Sequence, residues 1–370
     1  MRVALVHDWL TGMRGGEKAL EVLCELLPDA ELLTLVHVPG TVSQTISRHR
    51  IRPSLVQHLP AVSRWYRHYL PLFPLAIEQF DLDDAELVLS ASHCAAKSVV
   101  PGPGARHICY CFTPMRYAWD QFDHYFGADR LGPALSAATR PLLAGLARWD
   151  RATAGRVDRY VAISHYVAGR IRRYYNRRAT VVYPPVDTAF FHPDRRVPEG
   201  YLLIVSALVP YKRVDVAIEA ARLSGIPLRI VGRGPDRERL EAQASGAPVE
   251  FLGFQPDEAV RDLYRGALGV VLPGEEDFGI VPVEAQACGR PVVALARGGA
   301  RETVRDGVTG VLVSDPSAEA FAAAFRSLGS RPFNSDVIRQ HAEAYGRDRF
   351  ASEMQAVIDD TLRAPEGTQW

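Results

Sequence analysis

A chain of 370 residues is longer than one hydrophobic core usually supports, so two or three domains are expected. Its 47% hydrophobic and 23% charged content is that of a globular protein, and 43 basic against 43 acidic side chains exclude the charge excess of a nucleic-acid binder. No run of 18 uninterrupted apolar residues exists to span a membrane, and His7 and Asp8 interrupt the apolar region a secretory signal needs, so a cytoplasmic location is expected.

Residues 3–7 read as a short apolar strand, followed by the Gly-rich turn Gly12-Met-Arg-Gly-Gly-Glu-Lys18 and a helix over 19–27. Such a turn is the phosphate-approach device of doubly wound sheets. The dinucleotide fingerprint Gly-x-Gly-x-x-Gly is absent, and Ala19 stands where a P-loop needs Ser or Thr after Lys18. Residues 41–77 hold no Asp or Glu but carry Arg48, Arg50, Arg52, Arg64 and Arg67 among Trp65, Tyr66, Tyr69, Leu70, Leu72 and Phe73. That composition fits an interfacial segment facing anionic lipid, with the contact expected within residues 45–75. It equally fits a solvated basic face with its aromatic rings turned inward.

Residues 87–90, 107–111 and 157–163 read as further strands. Five cysteines, Cys24, Cys94, Cys109, Cys111 and Cys288, are scattered; Cys109-x-Cys111 has no second pair to complete a metal site, so buried thiols are expected and no metal. Asp81-Leu-Asp83 reads as a surface turn. Forty Arg stand against three Lys, which singles out Lys18, Lys97 and Lys212. Pro, Asp and Gly crowd residues 181–200 and mark a linker, closing a first domain over 1–183. A second strand–helix alternation then runs through strands at 201–205, 228–231 and 249–252, giving a domain over 184–340. A helical stretch over 335–362, with Phe350, Met354, Val357 and Ile358 at helical spacing, ends the chain, and 341–370 is expected as a terminal helix.

The central stretch is 273–290. It follows an apolar strand at 267–272 and precedes another at 291–295. Pro282 suits the first turn of a helix and Gly289 its C-terminal cap, so the free amides of Gly279, Ile280 and Val281 would lie at the positive helix end and form an anion site. Glu276 and Glu284 flank them. A phosphate between two carboxylates leaves one Glu facing each end of a phosphate-linked ligand, which is the arrangement a nucleotide-activated sugar requires.

Glu276-x7-Glu284, with Phe278-Gly279 between, resembles the Glu-x7-Glu signature of retaining glycosyltransferases of family 4. The resemblance implies an α/β GT-B fold: two doubly wound Rossmann-like domains facing across a cleft, with the terminal helix crossing back to the first. It implies that Glu276 and Lys212 serve catalysis, that Glu284 holds the ribose, and that Gly15, Gly16, Arg213, Phe278, Gly279, Ile280 and Val281 meet the sugar and diphosphate. Arg233, Gly253 and Phe254 lie where the base should rest. The first domain would bind the acceptor. Tyr110-Cys-Phe-Thr-Pro-Met-Arg-Tyr117, within 110–120, resembles a segment of a bacterial mannosyltransferase subgroup, which favours GDP-mannose as donor and a saccharide or polyprenyl-linked saccharide as acceptor. No cofactor is implied, and protein cations and dipoles would make metal dispensable. Two positions depart from the pattern. Phe112 stands where the family has His, and Ala207 stands where it commonly has Arg; Arg213 is placed to supply that charge. Both departures fit the alternative of a non-catalytic nucleotide-sugar-binding protein in an assembly complex. A nucleotide-sugar epimerase on the same fold is a further alternative.

Overall fold

The near-continuous apolar runs read above become parallel strands buried on both faces, as runs without polar alternation must. The computed structural model describes residues 1–119, 122, 127, 132–194, 196–331, 333–365, 367–368 and 370; Asp120, the last residue of the 110–120 segment, lies outside them. The chain forms two units, Met1–Pro185 with Phe350–Trp370 and Val186–Arg349.

The first unit holds β1 (Val3–Leu10), α1 (Gly15–Leu26), β2 (Glu31–His37), β3 (Ile51–Pro53), β4 (Leu87–Ser92), β5 (Arg106–Cys111), α2 (Pro133–Ala152), β6 (Arg159–Ala162), α3 (His165–Tyr175) and β7 (Ala179–Val181). Its sheet runs β3-β2-β1-β4-β5-β6-β7, with parallel pairing throughout. Strand order reverses at β1 and β4, so the crevice outside their carboxyl ends is a topological switch point. Val6, Leu33, Val88, Phe73 and Leu143 belong to the core beside this sheet.

The second unit holds β8 (Leu202–Val205), α4 (Val214–Ser224), β9 (Leu228–Val231), α5 (Arg237–Gln243), β10 (Val249–Gly253), α6 (Asp257–Gly266), β11 (Gly269–Leu272), α7 (Ile280–Ala287), β12 (Val292–Leu295), β13 (Gly310–Val313), α8 (Ala318–Ser330) and α9 (Ser335–Glu343). The sheet order is β10-β9-β8-β11-β12-β13, again parallel, with its switch point between β8 and β11.

Three expectations are corrected. Helix α1 begins at Gly15 rather than 19, so Gly15 and Gly16 form its first turn; the backbone amide of Arg14 is held by the Glu17 carboxylate at 3.1 Å. The stretch 335–362 is two helices, α9 and α10 (Arg347–Arg363), because the chain turns at 344–346, where Tyr345 and Gly346 donate to the carbonyls of Ala342 and Glu343. The unit boundary falls after Pro185 and the return at Phe350, not at 183 and 341. Arg339 explains the second shift: it ties α9 to the second unit by donating to the carbonyls of Phe191, Ala287 and Thr188. Beyond it, Phe350 packs edge-on against Tyr110 at 5.3 Å, and Arg159 donates to the carbonyl of Val357.

Neither reading covers residues 41–77 alone. Tyr66 and Phe73 turn inward, with ring centroids 5.2 and 6.2 Å from Trp9. Trp65 is 44% exposed beneath the Arg64 guanidinium, and Leu72 and Leu75 are exposed as well. All five cysteines are buried free thiols, Cys24 pushed up to about 12 by burial. Lys97 is also buried, ion-paired with Asp150 at 3.0 Å and donating to the Asp150 carbonyl at 2.7 Å. Asp81 accepts from the Asp83 amide in an exposed turn.

Candidate functional site

In the second unit the chain leaves β11 at Leu272 and reaches the Gly279 cap of α7 with φ +92, a backbone only Gly adopts without strain. The amides opening α7 have no intrahelical acceptor and meet the positive end of its dipole. Pro282 lies in this first turn and Gly289, φ +73, follows the helix, both as expected.

Glu276 and Lys212 meet at the switch point. Lys212 Nζ donates to Glu276 Oε1, with the two side chains only 17% and 13% exposed. Each arrives from a different loop. Lys212 ends a short 3-10 turn, Pro210–Lys212, after β8; Glu276 lies in the loop after β11. Glycines let these loops touch. A Cβ on Gly274 would lie 2.6 Å from the Tyr211 carbonyl oxygen, and one on Gly299 would lie 2.3 Å from the Phe278 Cα. The Gly299 amide in turn donates to the Glu276 carbonyl at 2.8 Å. This support was not foreseen; its signal is the adjacent pair Gly298-Gly299 shortly after a buried strand.

Glu284 is buried within α7, and its carboxylate accepts from the Tyr264 hydroxyl at 3.0 Å. Burial first, then the Glu284 charge, raises the Tyr264 phenol above its ordinary range, so this hydroxyl remains a donor. The pair helps hold the carboxylate in one orientation. At the ends of β9 and β10, Phe254 is 64% exposed with the Arg233 guanidinium over its ring at 5.4 Å. Gly253 precedes it with φ +68.

Two further residues expected at the ligand lie as follows. The Phe278 ring is buried and packs at 5.8 Å from Tyr345, because the loop turns it into the core; only its backbone borders the site. Arg213 takes φ +53 at the head of α4 beside Lys212; its Nε donates to Asp215 at 3.3 Å, and its side chain is 45% exposed.

In the first unit Gly15 and Gly16 open α1 at the switch point of its own sheet. A Cβ on Gly16 would touch both Phe112 and His7, at 3.6 and 3.7 Å. Phe112 follows β5 and packs edge-on to Tyr110 at 5.3 Å and to His7 and His93 at 6.2 Å each. His7 is buried. Burial alone would lower it, but the Glu17 carboxylate, 3.7 Å from its Nε2, and then Asp8 outweigh that and raise it. Asp8 is buried and accepts four backbone amides, those of His93, Cys94, Ala95 and Ala96, at 2.6–2.9 Å. This cluster was not foreseen. Its signal was a polar pair, His7-Asp8, inside an otherwise apolar strand.

Residues 186–348, essentially the whole second unit, match the family described as Glycosyl transferases group 1. A Geodermatophilus obscurus protein named D-inositol 3-phosphate glycosyltransferase is 34% identical over 262 residues, covering 60% of this chain and 57% of that relative. A Mycobacterium tuberculosis (strain ATCC 25177 / H37Ra) protein of the same name is 38% identical over 173 residues, covering 41% of this chain and 36% of its own length. The chain thus spans about half or less of the curated relatives it matches. Sucrose-phosphate synthase from Thermosynechococcus elongatus superposes with TM-score 0.73 at 17% identity, covering 99% of this chain and 100% of that one. Anabaena HepE in complex with UDP and glucose superposes with TM-score 0.70 at 16% identity, covering 96% and 99%. Residues 186–348 thus resemble a Glycosyl transferases group 1 domain, on a chain with the GT-B fold of two Rossmann-like units.

Proposed function

We propose that the chain is a retaining glycosyltransferase that moves a hexose from a nucleoside diphosphate sugar to a hydroxyl of a saccharide or lipid-linked saccharide. The observation that carries this reading is the Lys212–Glu276 pair at the β8/β11 switch point, beside the open amides of α7. In this reading the bond from the anomeric carbon to the phosphate oxygen breaks, and the acceptor oxygen bonds to that carbon on the same face. The acceptor proton passes to the departing diphosphate. Lys212 and the α7 N-terminus stabilise that diphosphate by preorganised charge, which makes a metal ion dispensable. Glu276 orients the sugar and faces the positive charge that develops on its ring. Glu284 holds the ribose, and Phe254 with Arg233 stacks on the base.

The Tyr110–Tyr117 resemblance supports mannose from GDP-mannose, whereas the solved Anabaena neighbour holds UDP and glucose. A donor panel of GDP-mannose, UDP-glucose and UDP-N-acetylglucosamine, read by nucleotide release with and without EDTA, decides between them. D-inositol 3-phosphate, named in the relatives, and a membrane-lipid extract serve as first acceptors. Release from one donor, abolished in Glu276→Ala, supports the reading; no release from any donor overturns it. Tight donor binding without release points instead to a non-catalytic binder, the reading favoured by the Phe112 ring packed where an imidazole was expected.

No helix among the described residues is long and apolar enough to cross a membrane. Exposed Trp65, Leu72 and Leu75 beside Arg64 and Arg67 support peripheral docking on the cytoplasmic face of a membrane. Cosedimentation with anionic vesicles, lost in Trp65→Ser, tests it.

A further inference from the structure

The imidazole missing from position 112 has a neighbour. His93 follows β4, one strand over, with its ring 6.2 Å from that of Phe112. Its Nδ1 lies 3.1 Å from Asp8 Oδ2, and Asp8 is itself immobilised by the four amides of 93–96. The Trp9 ring closes one side of the imidazole edge-on at 4.4 Å. In the neutral ring a carboxylate this close to Nδ1 favours the proton there, which leaves the Nε2 lone pair as an acceptor. The His93 side chain is 26% exposed while Asp8 is wholly buried, and among the described residues no hydrogen bond reaches Nε2. His93 sits at the β1/β4 switch point beside the Gly15–Gly16 turn, where doubly wound sheets bind their ligands.

We propose that the Asp8–His93 pair is a hydroxyl-recognition site of the first unit, in which His93 Nε2 accepts a hydrogen bond from a hydroxyl of a polyol or saccharide acceptor. The inference rests on the transferase reading for the word acceptor, but not for the binding itself. Burial lowers His93 from its ordinary value, ahead of the opposing pull of Asp8, so the ring is neutral at neutral pH and suits an uncharged hydroxyl donor better than an anion. The charged and titratable groups bearing on it are Asp8, His7, Glu17 and Arg116. Protonation would turn Nε2 into a donor and remove the acceptor that the site offers.

The test is His-selective carbon NMR on the full chain, with the His93 signal assigned by its loss in His93→Ala. Methyl α-D-mannopyranoside and D-inositol 3-phosphate are titrated in separately. A saturable shift of the His93 signal with either probe, lost once acidification protonates the ring and lost in His93→Ala, is expected. His93→Gln, which keeps a side-chain acceptor near the Nε2 position, should retain part of the probe binding seen by calorimetry. No shift at saturating probe, or unchanged binding in a folded His93→Ala, overturns the proposal. Nucleotide release from the donor panel without probe is measured in parallel. Its absence in the wild-type chain sinks the transferase reading alone, because the NMR arm still judges the pair.

Discussion

Removing the ammonium of Lys212 tests the chemistry of the second unit most directly. In Lys212→Ala, Glu276 loses the cation that neutralises it, and an incoming diphosphate meets a carboxylate where it should meet a positive charge. Two unit charges about 4 Å apart at an effective dielectric of about 20 interact by about 4 kcal/mol. Both side chains retain some exposure, at 17% and 13%, so solvent screens part of that. A loss of about 3 kcal/mol in transition-state stabilisation remains, roughly two decades in kcat/KM. Fold stability should change far less, by about 1 kcal/mol, because the site is not sealed from water. The assay is nucleotide release from the donor the wild type accepts, beside a denaturant melt. Glu276→Gln in the same background should cost less than it does alone, since the two groups act as one unit. A Lys212→Ala enzyme within about threefold of wild type would refute the assignment of Lys212 to the diphosphate.

Three further outcomes follow from the structure. Gly299→Ala forces a Cβ to 2.3 Å from the Phe278 Cα, so the Glu276 loop must move; kcat should fall at least about tenfold while the melt shifts only modestly, measured on the same two assays. Lys97→Met removes the cation from the buried Asp150 carboxylate, which keeps its Trp119 and Tyr175 donors, and should destabilise the first unit by about 3 kcal/mol in urea unfolding, with donor binding at the second unit preserved below the transition. Burial lowers His107 to about 4 from 6.5, so below pH 6.5 the unfolded chain takes up a proton that the native chain refuses. Its stabilising contribution is therefore full above pH 6.5 and is lost as pH falls to about 4, a total of about 3 kcal/mol; His107→Gln should flatten that part of the stability–pH curve.

Much of the second unit was legible because its signals are local. An apolar run, a glycine at φ +92, a proline in the first helical turn and a glycine after the last one specify strand, loop and helix within residues 269–289. Glu276, Glu284 and Lys212 followed from that frame and from the resemblance. The helix boundaries were less legible. Starting α1 at Gly15 runs against glycine's poor helix propensity, and Gly346 ends a helical pattern that apolar periodicity alone continues.

The sequence by itself determined two parallel α/β units and the residue types at the carboxyl ends of their strands, because strand periodicity and turn chemistry are written within short windows. Only the tertiary structure decided which of those residues meet. Lys212 finds Glu276 across 64 residues because β8 and β11 are neighbours in the sheet. Asp8 finds His93 across 85 for the same reason at β1 and β4. Tertiary packing likewise turned Phe278 inward and sent the chain back at Phe350. Strand neighbourhood is a long-range property, set by how sheets bury their faces, and no local window of sequence contains it.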